Sequence, residues 1–260
     1  MTSGKQARRQ RQAQVARPPV RSTEGRKASP TVLVAALVGI VGIVAAVLIV
    51  VVFARGGSSS SSASPTTLPD ANVIEQQLAG IPQKRNVLGK ATAPATMVEY
   101  IDLQCPVCRE FETSTMPTII RRYIRTGKLR VEARPIAFIG PDSETGRKGM
   151  IAAEQQNRAF NFSQLLYFNQ GQENTGWLDD SMVASAAASI PGVDVKALQD
   201  ATGSQAVADR AQTYDGQAQA DAVSGTPTVL VGKTGGRLTA LPAGAPGVAE
   251  LSAAIDRALG

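Results

Sequence analysis

Cys105 and Cys108 are the only cysteines among 260 residues, and they are spaced as Cys-Pro-Val-Cys. A strand-like run, Thr96 to Ile101, ends just before them, and a helix-like run begins near Cys105. A sulfur at a helix start faces unpaired backbone N–H groups and the positive end of the helix dipole, so it ionises more readily than a free thiol. The thiolate is the attacking species in disulfide exchange, and the spacing therefore points to a dithiol redox centre. The chain has no histidine. That excludes Ser-His-Asp and Cys-His catalysis and nearly every imidazole-based zinc or copper site. Two cysteines cannot complete a four-ligand zinc site. As a purely structural bridge, a ring this small contributes only about 2 kcal/mol in the chain-entropy model.

The elements that must hold this pair read as follows. Asp70 to Ala79 is a short helix with Asp70 as N-cap. Thr96 to Ile101 is a strand, on which Glu99 shares a face with Met97 and Ile101. After the cysteines, Phe111, Met116, Ile119, Ile120 and Tyr123 recur at helical spacing. That face continues the line from Cys108, so Cys108 is expected to point inward and Cys105 to stay at the rim. Pro117 should kink this helix, because it lacks the N–H needed one turn back. Leu129 to Phe138 reads as a second strand. Residues 143–221 form a helical block with breaks at Gly171 to Gly176, Pro191-Gly192 and Gly203. Thr228 to Val231 fits a buried strand, Arg237 to Leu241 pairs beside it, and Val248 to Leu259 is a final amphipathic helix. Gly232-Lys233-Thr234 lacks the earlier glycine of a phosphate-binding loop, having Pro227 there, and reads as a turn.

The charge is unevenly spread. Residues 1–30 carry eight Lys/Arg against Glu24, Arg55 adds one more, and from Gly56 onward 18 Lys/Arg oppose 20 Asp/Glu, a balance of −2. The basic pI thus belongs to the tail, and no nucleic-acid partner is expected. Val32 to Ala54 is an uncharged run of 23 residues, long enough to cross a bilayer. It is too long for a signal-peptide core and lacks a small-residue cleavage site, so residues 31–54 are expected to be an uncleaved transmembrane helix. The basic excess before it places residues 1–30 in the cytoplasm and everything past Gly56 outside. Residues 55–70, rich in Ser, Gly and Pro, read as a flexible linker with a reach of roughly 20 Å. Residues 71–260 suit one domain with an insertion.

Two stretches together carry a family likeness. Val98-Glu99-Tyr100 leads into Asp102-Leu103-Gln104-Cys105-Pro106-Val107-Cys108 with Phe111 following, and Ser224-Gly225-Thr226-Pro227-Thr228 precedes an apolar strand. With a helical block between them, residues 71–260 resemble the DsbA-like thiol-disulfide oxidoreductases. The resemblance implies an α/β thioredoxin-like fold with a helical insertion, here preceded by the transmembrane helix and the disordered linker. It implies Cys105 as nucleophile and Cys108 as the resolving cysteine. It also implies a cis Thr226–Pro227 bond facing them, and substrate contacts from Pro106, Val107, Thr226 and Pro227. No cofactor beyond the redox-active Cys105–Cys108 pair is implied. Glu99 occupies the place of a buried acid that assists proton transfer; a buried relay and a solvated strand carboxylate both remain open for it, and Asp102 competes for the role. Strongly oxidising relatives carry histidine where this chain has Val107, which implies a weaker oxidant, by tens of millivolts.

The expected activity is disulfide formation in exported proteins outside the membrane, or reduction or isomerisation with a different electron partner. A membrane partner passing electrons to quinone would regenerate the oxidised pair. A redox-sensing or partner-binding module without turnover is the alternative, and a Cu(I) carrier a weaker third reading.

Overall fold

The computed structural model describes residues 65–260. The basic tail, the apolar run Val32–Ala54 and the linker up to residue 64 lie outside the described residues. Among the described residues, no helix is long and apolar enough to cross a membrane.

In chain order the elements are α1 (Ala71–Leu78), β1 (Gln83–Lys84), β2 (Val87–Leu88), β3 (Ala95–Ile101), α2 (106–124) and β4 (Leu129–Pro135). Five insertion helices follow: α3 (Pro141–Gln155), α4 (Ala159–Phe168), α5 (Asp180–Ala188), α6 (Val195–Thr202) and α7 (Gln205–Ala220). Then come β5 (Thr228–Lys233), β6 (Thr239–Ala240) and α8 (Val248–Leu259). The strands form one sheet in the order β1-β2-β4-β3-β5-β6. Only β3 and β4 run parallel, joined by α2, and every other pairing is antiparallel. Val98 of β3 lies between Glu132 of β4 and Leu230 of β5. This is the thioredoxin-like α/β architecture with a helical insertion that the sequence implied.

All seven residues of β3 are buried, as befits a central strand covered on both faces. Glu99 faces α2. Tyr100 faces the other way, where its hydroxyl donates to Asp221 at the end of α7 at 2.6 Å. α3 and α7 lie against β4, while α8 packs on β5 and β3. β3 thus ends between two helical layers, and the residues that follow it must serve both.

Several boundaries differ from expectation for identifiable reasons. Asp70 precedes α1 but makes no side-chain cap; its backbone is left-handed (φ 63°), not the extended geometry from which a carboxylate reaches the first turn. β4 ends at Pro135 rather than Phe138, because the N–H groups of Phe138 and Ile139 turn to the Asp102 carboxylate (2.7 and 2.9 Å) instead of a strand. Pro117, expected to kink α2, lies within it. It sits between two wide π-turns, Phe111–Thr115 and Ile120–Ile124, and the first absorbs the missing donor through a Met116 N–H to Phe111 O bond five residues back. The end of the linker is held against the insertion: Leu68 N–H donates to Ser189 Oγ at 2.8 Å and Asn169 Nδ2 to Pro69 O at 3.2 Å.

Candidate active site

The site begins where β3 runs out. Cys105 is the N-cap of α2 with extended backbone angles (φ −69°, ψ 119°), and Pro106 supplies the preset φ of a first helical residue. The Cys105 sulfur accepts from the backbone N–H of Cys108 at 3.4 Å, taking one of the unpaired donors at the helix start. Its thiol also reaches Thr226 O at 3.3 Å, so the distant Gly-Thr-Pro turn closes over the motif as expected. The Thr226–Pro227 bond is cis and Pro227 is buried. Cys108 is fully covered, and both cysteines are free thiols. Cys105 is 5% exposed, more enclosed than the rim position expected from the sequence. Pro106 and Val107 are the exposed members of the motif, with Val107 at 43%.

The two thiols are driven apart in acidity. Cys105 is lowered from 9.0 to about 6, first by its hydrogen bond with the Cys108 thiol, then by Thr226 and the N–H groups of Cys108 and Val107, against the opposing cost of burial. Burial pushes Cys108 well above the usual thiol range, and hydrogen bonding with Cys105 and its charge add to the shift. An outer sulfur that ionises near neutrality beside an inner one that holds its proton is the arrangement a nucleophile and a resolving thiol require.

Glu99 is 1% exposed, which settles the burial left open by its sequence. It is not alone. Glu112, four residues beyond Cys108 on α2, is 2% exposed and stands beside it. Burial raises both carboxyls well above the usual carboxylate range, and the charge of Glu112 adds to the rise at Glu99. The two carboxyls are hydrogen-bonded to each other, and Glu112 Oε2 accepts from Gln164 Nε2 at 2.8 Å. Two such neighbours cannot both ionise cheaply, so the pair retains a proton at neutral pH. The buried Tyr167 phenol is raised well above its usual range, by burial first and then by the nearby charges of Cys108, Glu112, Asp102 and Glu99.

Asp102 has a different task. Its Oδ1 accepts from Gln104 N–H and Ser143 Oγ, both at 2.8 Å, and its Oδ2 from the Phe138 and Ile139 N–H groups that follow β4. Four donors and no mobile proton face it, which fits a structural carboxylate better than a relay. Sequence reasoning missed Glu112, Gln164 and Tyr167. The spacing of Glu112 from Cys108, one helical turn, was the available signal.

The chain is similar to known proteins. A family model described as thioredoxin matches residues 83–257. Among curated proteins, a probable disulfide bond formation protein D of Bacillus cereus is 29% identical over 147 residues, covering 55% of this chain and 68% of that protein. Disulfide bond formation protein D of Bacillus subtilis is 25% identical over 150 residues, covering 56% and 66%. Among solved structures, oxidised BdbD of Bacillus subtilis aligns with a TM-score of 0.61 and 21% identity over 69% of this chain and 97% of that one. For alpha-DsbA1 of Wolbachia pipientis the values are 0.59, 20%, 70% and 92%. The two structures share the fold, insertion included; the paired thiols at the helix start and the family match carry the chemistry. The chain belongs to the thioredoxin family and is a thiol-disulfide oxidoreductase of DsbA-like fold.

Proposed function

We propose that this oxidoreductase forms disulfides in exported proteins from an extracytoplasmic position, tethered by Val32–Ala54 with the amino terminus in the cytoplasm. The observation that carries the exchange chemistry is the Cys105 sulfur at the start of α2, lowered to about 6 and faced by Thr226. The tether is supported by the 23 uncharged residues and the basic excess before them.

In the forward direction, a client thiolate attacks Cys105 Sγ of the oxidised pair and the S–S bond breaks towards Cys108. The leaving Cys108 thiolate is buried, so it takes a proton, and the Glu99/Glu112 pair is the nearby store of one. A second client thiolate then attacks the client sulfur and expels Cys105 as thiolate, leaving a client disulfide and a reduced enzyme. Two electrons and two protons have left the client. Pro106 and Val107, exposed beside the sulfur, and Thr226 with Pro227 across from it, are the residues a client segment meets. A quinone-linked membrane partner would reoxidise the pair, and no cofactor takes part beyond it.

The test is oxidative refolding of a reduced secreted protein by the full-length chain in detergent, beside reduction of insulin by the reduced chain. Turnover lost on Cys105→Ser supports the reading; exchange absent from both assays would leave a non-catalytic redox-sensing module instead. Trapping clients on Cys105 in a Cys108→Ala strain identifies them, and cytoplasmic clients would overturn the proposed location.

A further inference from the structure

The segment 102–105 belongs to neither β3 nor α2, so its backbone groups need partners. Some are local, Cys105 N–H to Asp102 O and Arg109 N–H to Cys105 O, and the others come from the helical insertion. Tyr167 OH donates to Asp102 O at 3.1 Å. Gln170 Nε2 donates to Leu103 O at 3.0 Å and to Cys105 O at 3.2 Å, spanning two carbonyls of the same turn with one amide group. Gln104, fully buried, donates its own amide to Ser143 Oγ and Asn174 Oδ1 (3.0 and 3.2 Å) and accepts from Asn174 N–H at 2.8 Å.

The contact to Cys105 O bears on reactivity. Cys105 lies at ψ 119°, and only an extended N-cap directs its sulfur back over the helix start to meet the Cys108 N–H. The orientation of its carbonyl and the value of ψ are one degree of freedom. Arg109 N–H holds that carbonyl from the helix side at 3.0 Å, and Gln170 holds it from the insertion side. With Gln170 gone, the carbonyl keeps only the helix bond, Leu103 O loses its donor, and the turn can relax.

We propose that Gln170 is a positioning residue for Cys105: through its two carbonyl bonds the helical insertion sets how well the nucleophile's sulfur is seated on the α2 N-terminus. This deepens the oxidoreductase reading and rests on Cys105 being its nucleophile. Gln170 is half-buried in the loop after α4, outside the Cys-Pro-Val-Cys motif and the Thr226–Pro227 turn.

The test uses full-length wild type, Gln170→Ala and the nearly isosteric Gln170→Glu, which lacks both donors. Glu154→Gln serves as control: it weakens a buried network with Tyr214 and Arg210 that does not touch the 102–105 segment. Three quantities are read: the alkylation rate of Cys105 at pH 6.5, the equilibrium with glutathione, and the melting temperature. Both Gln170 variants should alkylate 3- to 10-fold more slowly. Their glutathione equilibrium should move by a similar factor towards the disulfide, since a poorer seat destabilises the thiolate and with it the reduced form. Glu154→Gln should melt lower with both redox readouts unchanged. Wild-type rates and equilibria in the Gln170 variants would overturn the proposal, as would equal shifts in Glu154→Gln, which would mark the effect as general loosening. If wild-type Cys105 labels no faster than a cysteine in an unstructured peptide, the nucleophile reading itself falls and takes this one with it.

Discussion

At Val107 a single side chain faces solvent one residue before the buried thiol, and it contributes no charge to the Cys105 thiolate. Val107→His would add a cation when protonated. Glutathione equilibration should then show a potential more oxidising by tens of millivolts, at roughly 30 mV per 1.4 kcal/mol. Glu99 offers an experiment of opposite sense. Its folded-state acidity is weakened by burial, so its contribution to stability is fully present below the ordinary value of 4.5 and is lost as pH rises through the raised one. Glu99→Gln does not titrate, and its amide can donate to Glu112. Denaturation should show this variant more stable than wild type at alkaline pH, with the gap closing towards pH 4.5. Stopped-flow exchange should show its Cys108-dependent step slowed about tenfold, because only Glu112 is left to hold the proton. How much of the site was legible follows the same division. Cys105 and Cys108 were readable because their spacing is itself the chemistry, and the Thr226–Pro227 turn through the family resemblance. Glu112 and Gln170 were not, because a glutamate on a helix and a glutamine in a loop acquire meaning only when folding brings them to a distant partner.

Among the elements, α8 and β3 were readable almost to the residue, since an amphipathic period and an apolar run report burial directly. The β1–β2 hairpin was missed; two-residue strands around Arg85 and Asn86 have no alternation to detect, and their pairing is decided by β4 alongside. The Gly232-Lys233-Thr234 triplet shows why a motif fragment needs its setting. Gly232 lies in β5 with its α-carbon so close to the β6 side that a Cβ would collide with Arg237 O, and Thr234 Oγ1 bonds Ala93 O and Thr96 Oγ1. The glycine is there for a close backbone approach, not for a phosphate. Gly232→Ala must displace backbone rather than a flexible side chain, and should cost about 1–3 kcal/mol in urea denaturation.

For the whole molecule, the chemistry of one sulfur is linked to folding. Cys105 is depressed from 9.0 to about 6 in the folded state, so its ionisation adds stability that is fully present above 9 and disappears as pH falls through 6. Cys108 is raised and stays neutral in folded and unfolded chains alike until pH approaches 9, so it does not mask the trend below that. The stability difference between reduced wild type and Cys105→Ser should therefore grow by a few kcal/mol from pH 6 to pH 9, as read from melting curves under reducing conditions. A flat difference would mean that the sulfur is not stabilised as an anion by the fold.

The Asp102 carboxylate ties the turn before the cysteines to the first residues of the insertion, with Ser143 and the Phe138 and Ile139 amides on the same two oxygens. Tolerance to changes in chain length is consequently lopsided. Residues may be gained or shed around Gly192 or Gly203, where short helices meet in open loops, without the redox pair sensing it. One extra residue between 139 and 143 would slip an alcohol and two amides off a shared anchor and detune the reaction from outside the cysteine motif.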